Sequence, residues 1–357
     1  MRAGAHGFDK LSRPFDRLRA NGWVRAANEE PDHRIPTIAL FLLKRFAAFA
    51  ATLLAATAVI FAVLDILPGN AAEVMLGESA TPEAVAALTA KLGLDRPPLV
   101  RYGEWLRGLA VGDMGTSVAY DTPVLELMLE RLEVTVPLAV MAMALTTVLA
   151  LALGLYAASR HNRLGDVGVM AASQVGIAIP NFWFAILLIL LFSVQLQWFS
   201  AGGFPGWTED EGGGLWDGLM ALLLPTVALA VVQAAILARI TRSAVLEVLR
   251  EDFVRTARAK GLSQRQVLWR HVLRNAFVPV LTIMGLQFAN LLTGTVVIEN
   301  VFSLPGLGRL VFQAIANRDL VVVRNVVMLL AAAVIVINFV VDVLYAVVDP
   351  RLRVTHG

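Results

Sequence analysis

The sequence predicts an all-α, polytopic helical membrane protein with about six transmembrane helices. Three observations predict it. Hydrophobic residues make up 57% of the chain and charged residues only 16%, against about 25% charged in ordinary soluble domains. Six stretches are apolar enough to cross a bilayer, which takes about 20 residues at a rise of ~1.5 Å each. The 30 Lys and Arg residues concentrate in alternate connecting segments. Cysteine is absent, which excludes disulfides, thiolate metal sites and cysteine nucleophiles.

The elements follow in order. Residues 1–34 hold no continuous apolar core, so they are not a cleavable signal peptide. Phe8-Asp9-Lys10-Leu11 recurs as Phe15-Asp16-Arg17-Leu18. The segment reads as a disordered extension or a mis-assigned start, with a surface-lying amphipathic segment as the alternative. Residues 35–133 read as a first transmembrane helix, its span at Phe46–Leu67, plus a loop too long for a plain connector. Within that loop Thr81, Pro82 and Glu83 predict a helix start and Gly93 its stop. Tyr102 and Trp105 are expected at the bilayer interface. The loop is either a cap on the helix ends or a partner contact.

Residues 134–357 hold the remaining spans, near Val134–Ala157, Val167–Leu196, Leu219–Ala238, Val278–Ile298 and Val326–Val347. The third contains Pro180, a kink that a helix bundle tolerates. Pro305-Gly306-Leu307-Gly308 predicts a turn followed by a short helix through Ala314.

Charge orients the spans. Lys and Arg number nine in residues 1–45, two at Arg160 and Arg163, nine in 239–277 and two in the tail, against five in 68–133, none in 197–218 and three in 299–325. That is 22 against 8, so the positive-inside rule places both termini and the 239–277 loop in the cytoplasm.

No motif for energy conversion is present. The four lysines precede Leu11, Arg45, Leu92 and Gly261, so a phosphate-holding Gly-Lys-Ser/Thr loop cannot form. The five histidines are far apart, and no Gly-x-Ser-x-Gly elbow occurs. An enzyme is not expected, nor is any cofactor, metal or nucleic acid. Asp65 and Asp342 are the acids nearest the spans, and inter-helix hydrogen bonds suit them better than a proton relay. Gln287, Asn290 and Gly294 share a helical face through i, i+3, i+7 spacing. This stripe either lines a translocation path or is polar glue between helices.

The 239–277 loop carries the sharpest signal, the run Arg255-Thr256-Ala257-Arg258-Ala259-Lys260-Gly261-Leu262. Phe253, Ala257 and Gly261 are spaced i, i+4, i+8. A short helix there is expected to show one small-sided ridge, suited to insertion into a groove and flanked by Arg255, Arg258 and Lys260. A basic helix lying on anionic lipid fits the composition equally.

This loop resembles the EAA motif of bacterial ABC importer permeases. With Gly261 on the motif glycine, Arg255, Thr256 and Ala257 fall on the Glu-Ala-Ala positions, and His271, Leu273 and Arg274 on Ile, Leu and Pro. The arginine, histidine and arginine departures look like the form typical of the dipeptide/oligopeptide branch. The resemblance covers residues 36–353. It includes Leu67-Pro68-Gly69, Gly93-Leu94-Asp95-Arg96-Pro97, Gly112-Asp113-Met114-Gly115-Thr116-Ser117 and Ile179-Pro180-Asn181-Phe182-Trp183. Further matches are Glu299-Asn300-Val301-Phe302, Pro305-Gly306-Leu307-Gly308-Arg309, and Asp342, Tyr345 and Asp349-Pro350-Arg351. Asn70-Ala71 departs from the usual Asp-Pro. The long first external loop marks the OppB/DppB-like partner of the permease pair.

The resemblance implies an ABC type I importer permease fold, with a permease core over 134–357 and a cytoplasmic coupling helix. It implies a bacterial inner-membrane, pore-forming subunit for di- or oligopeptides. Its partners would be a homologous permease, two cytoplasmic ATPases that bind the ATP, an external solute-binding protein and the bilayer. Phe253 and the run Arg255 to Leu262, with His271 and Arg274, would then couple to the ATPase. Glu299 would make a local hydrogen bond, orient its loop or meet a substrate amino group. A stand-alone channel or ion-driven carrier is the runner-up.

Overall fold

In the computed structural model the described residues are 37–348, apart from 67–70, 78–79 and 92. The readings placed on residues 1–34, on Leu67-Pro68-Gly69, on Asn70 and on Asp349-Pro350-Arg351 lie outside them. The chain divides into two units, 1–44 and 45–357. Of the first, the described part is the opening of helix α1 (Thr37–Ile66).

The second unit is helical. Short helices α2 (Ala71–Leu76), α3 (Pro82–Lys91) and α4 (Pro98–Val111) follow α1. Long helices α5 (Val124–Ser159), α8 (Leu215–Val248), α11 (Leu273–Val301) and α13 (Leu320–Val348) form the bundle. Between α5 and α8 lie α6 (Leu164–Ala178) and α7 (Asn181–Leu188), the latter continuing as a π-turn to Gln195. Between α8 and α11 lie α9 (Asp252–Ala259) and α10 (Gln264–Val267), and α12 (Leu307–Ala316) precedes α13. The long helices outrun the sequence-predicted spans: α5 starts ten residues before Val134, so the expected boundary at 133/134 falls inside it. Apolar windows mark only the hydrocarbon-depth part of a helix, and its charged turns continue into the interface.

Among the described residues, five helices are long and apolar enough to cross a membrane, and six spans result when α6 and α7 count as one. The expected kink in the third span is a break: the two halves meet at 100°. Proline has no amide hydrogen and disfavours helix at the residue before it, so α6 stops at Ala178 and α7 restarts at Asn181. The pair still runs from one end of the bundle to the other. Near its start Asp166 bonds Arg242, close to the end of α8; past its end the amide of Gly203 donates to the Phe302 carbonyl at 2.8 Å, at the end of α11. Those ends are opposite, because α8 and α11 are antiparallel, with Gln287 against Gln233 and Gly294 against Leu229.

Small residues let the central helices approach. A Cβ on Gly154 of α5 would sit 2.6 Å from the Thr241 Cβ of α8. Ala139, Ala142, Ala150, Ala228, Ala230, Ala234 and Ala238 are all buried. Lipid tails are as apolar as leucine, so close backbone packing rather than hydrophobic exclusion holds spans together.

Candidate functional site: the coupling segment and the two ends of the bundle

The 249–276 segment, two short helices and a π-turn, packs against three long helices. Val254 and Ala257 of α9 are buried in one apolar cluster with Leu155 of α5, Val245 of α8, Val267, Val272 and Ala276. The outer surface of α9 carries Phe253, Arg255, Thr256, Arg258, Ala259 and Lys260, all exposed. The ridge expected from i, i+4, i+8 spacing therefore divides. Phe253 faces out, Ala257 faces the chain's own core, and Gly261 lies beyond the helix.

Gly261 ends α9. Its φ is +84°, its amide donates to Arg258 at 3.0 Å, and the Leu262 amide donates to Ala257 at 3.4 Å. These two bonds are a Schellman termination, which favours glycine at the left-handed position. A Cβ there would meet no atom within 4 Å. The next residue but one starts α10 with a capping box: the Gln266 amide donates to Ser263 Oγ at 3.3 Å, and the Ser263 amide donates to Gln266 Oε1 at 3.0 Å. A stop and a start placed back to back fix the direction of α10, which passes through a π-turn, Leu268–Val272, into α11. His271 on that turn is half-buried, and Arg274 is exposed.

At the same end, the first turn of α6 is locked to α8. Arg242 donates from Nε to Asp166 Oδ1 at 2.5 Å and from Nη2 to Oδ2 at 2.7 Å, with His161 Nδ1 3.1 Å from the same Nη2. The Asn162 amide also donates to Asp166, at 2.9 Å. Two parallel charge-assisted bonds make a strong, directional pair. The sequence reading missed it, because the partners are 76 residues apart and each passes as an ordinary loop charge.

The pore-stripe candidates do not share surroundings. Gln287 is buried and its Nε2 donates to the Gln233 carbonyl at 3.4 Å, while Oε1 is buried without a hydrogen-bond partner. Gly294 packs on α8: a Cβ would lie 3.2 Å from Leu229 and 3.4 Å from Asn181 Nδ2 at the break. Asn290 is exposed.

The far end is built around two buried acids. Glu299 is fully buried. Thr135 Oγ1 donates to its Oε1 at 2.7 Å, the Gly308 amide donates to its Oε2 at 2.7 Å, and the Leu307 amide donates to Thr135 Oγ1 at 2.9 Å. Together they satisfy amides at the start of α12, where a carboxylate is favoured. This is the local bond expected for Glu299. The glycines of Pro305-Gly306-Leu307-Gly308 are there for contact: a Cβ on Gly306 would sit 2.3 Å from the Glu299 carboxyl carbon.

Asp319, the second acid, accepts from Ser117 Oγ at 2.6 Å and from the amides of Ala119 and Val322 at 3.1 and 3.2 Å. Trp105 is buried within the chain; its Nε1 donates to Asn325 Oδ1 at 2.9 Å, and Asn325 also donates to the Met114 carbonyl. The Gly112–Ser117 run thus clasps α13. The predicted start of α3 holds, with the Ala84 amide donating to Thr81 Oγ1 at 3.2 Å, and Gly93 takes a positive φ of 63°. Asp65 of α1 pairs with Arg101 of α4 at 2.6 Å and Asp342 of α13 with Arg45 of α1 at 3.0 Å, so each acid near a span end makes a polar contact to another helix.

Among the described residues, five apolar helices and one broken pair are long enough to cross a membrane, with a short helical segment packed across the ends of three of them, the architecture of a polytopic helical membrane protein. A solved structure of the MetNI methionine ABC transporter shares the fold at a TM-score of 0.51, with 19% identity, over 63% of this chain and 97% of that one. The chain belongs to the family of binding-protein-dependent transport system inner membrane components, which matches residues 150–354; the family's N-terminal component matches residues 38–139. It is 40% identical over 330 residues to the di/tripeptide transport system permease protein DppB of Pseudomonas aeruginosa (strain UCBPP-PA14), covering 88% of this chain and 98% of the relative. It is 37% identical over 317 residues to the oligopeptide transport system permease protein AppB of Bacillus subtilis (strain 168), covering 88% and 100%.

Proposed function

We propose that this chain is the pore-forming subunit of an ATP-driven importer of di- or oligopeptides. The observation that carries the reading is the clamped coupling segment: α9 is cored by its own bundle on one side and presents Phe253, Arg255, Arg258 and Lys260 on the other. A push on that surface acts directly on α5, α8 and α11, because the Schellman turn, the capping box and the Asp166–Arg242 pair leave little local slack. Force from a docked ATPase would thereby tilt spans as rigid bodies between two access states.

In this reading the basic end, with both termini, lies in the cytoplasm. ATP is bound by two ATPase subunits, a homologous permease completes the pore, and an external solute-binding protein meets the far end around residues 98–123 and 303–319. Gln287, Asn290 and Gly294 are the pore candidates, and exposed Asn290 is the one free to meet solute. His271 and Arg274 support the docking turn.

The test is reconstitution in liposomes with and without the ATPase subunits. Peptide uptake that needs ATP and all subunits is the expected result. Flux driven by an ion gradient through the purified chain alone would overturn it.

A further inference from the structure

A cavity of about 450 Å³ opens between α1, α4 and the start of α13, at the end of the bundle away from the coupling segment. Its size is in the range of sites that hold organic ligands, roughly 300–1,000 Å³. Phe61 and Leu64 of α1, Trp105 of α4, and Leu320 and Val321 of α13 give it apolar walls. Most of its charges are already matched. Asp65 holds Arg101 at 2.6 Å, Glu104 holds Arg96 at 2.6 Å, and Asp113 accepts from the Gly115 amide at 3.1 Å. Lys91 and Asp121, one of each sign, are exposed.

Arg324 remains. It lines the cavity half-buried, with its guanidinium carbon 4.8 Å from the centre of the Trp105 ring and its buried Nε without a hydrogen-bond partner. No acid pairs with it among the described residues. A cation–π contact contributes about 0.5–2 kcal/mol, but a guanidinium has five donors in a fork that fits a phosphate or carboxylate. An arginine this close to a membrane span without an oxyanion is costly.

We propose that this cavity binds the phosphodiester of a phospholipid, with Arg324 as the headgroup ligand and acyl chains lying along α1 and α13. The surroundings choose a lipid over a dissolved anion. Only 6% of the apolar window of α1 is buried, against 50% of that of α8, which leaves apolar helix surface beside the cavity along which acyl chains can lie. Arg324 lies in the second turn of α13, near one end of the apolar stretch Leu320–Leu344, where a headgroup phosphate and its acyl chains can both be reached.

Native mass spectrometry of the full-length chain in detergent, supplied with phosphatidylglycerol or with diacylglycerol of the same acyl chains, tests the proposal. Wild type should retain phosphatidylglycerol at least about tenfold over diacylglycerol, and Arg324→Gln should lose that preference. Equal retention of the two lipids by wild type would overturn the site whether or not the variant folds. Unchanged preference in a folded Arg324→Gln chain would overturn the role of the arginine. Displacement of phosphatidylglycerol by an equal concentration of glycerol 3-phosphate would overturn the lipid and leave a soluble phosphate monoester in its place.

Discussion

Asp166 grips Arg242 through both carboxylate oxygens, at 2.5 and 2.7 Å, and so ties the first turn of α6 to α8 six residues before α8 ends. The carboxylate is 3% exposed and the guanidinium 23%. The same α8 end packs against the 249–276 segment, so the pair ties the start of the broken span to the helix that carries that segment. A double-mutant cycle with Asp166→Ala and Arg242→Ala should give a coupling of ~1–3 kcal/mol in thermal or denaturant unfolding. Additive single effects would mean that the pair contributes nothing beyond its geometry.

Gly261 needs its backbone conformation and not its lack of bulk, since a Cβ there meets open space. Gly261→Ala should cost about 1 kcal/mol and Gly261→Val more, with Gly261→Asn the mildest. Gly261→Asp should insert normally but import poorly. ATP-driven uptake at matched membrane levels ranks the variants, and equal uptake by all four would remove the Schellman turn from coupling.

The native chain contains no cysteine, so single cysteines report contacts without background. Ala259→Cys, on the exposed side of α9, should cross-link to an ATPase subunit in membranes. Ala257→Cys, 7% exposed, should not. The reverse pattern would show that α9 docks by its other face.

Gly306 touches the Glu299 carboxylate directly, so Gly306→Ala forces a clash of the overpacking kind, about 1–3 kcal/mol. Its readout is faster limited proteolysis within residues 303–319. Glu299→Ala should produce the same cleavage pattern by stranding the Thr135 hydroxyl and the Gly308 amide. Protection equal to wild type in both would separate this cap from the stability of the far end.

Gln287 and Asn290 should come apart in function. Gln287→Leu removes a buried oxygen that has no partner and is expected to be neutral or stabilising by about 1 kcal/mol. Asn290→Leu should leave stability alone and lower peptide flux. Unchanged flux in the Asn290 variant would retire the pore assignment.

The sequence was most legible where a local rule fixes the geometry. Long apolar runs gave the spans, Thr81 and Gly93 gave the ends of α3, and Pro305–Gly308 gave the turn before α12. Helix spacing misled at α9, where i, i+4, i+8 assumes that helix continues through Gly261; a glycine after a short basic run is equally a stop signal. The break at Pro180 read as a kink because apolar composition continues on both sides of it. Pairings such as Asp166–Arg242, Asp319–Ser117 and Trp105–Asn325 join distant segments and leave no periodic trace.

The break itself dictates what surrounds it. Where α6 ends at Ala178 and Pro180 offers no amide, the last carbonyls of the first half have no helical donor. The last turn of α6 lies beside α8, where a Cβ on Gly176 would sit 3.3 Å from Ala235, and hydrocarbon cannot hydrogen-bond such carbonyls. A broken span therefore needs polar partners for those carbonyls that an unbroken helix would not, from neighbouring side chains, water or another polypeptide.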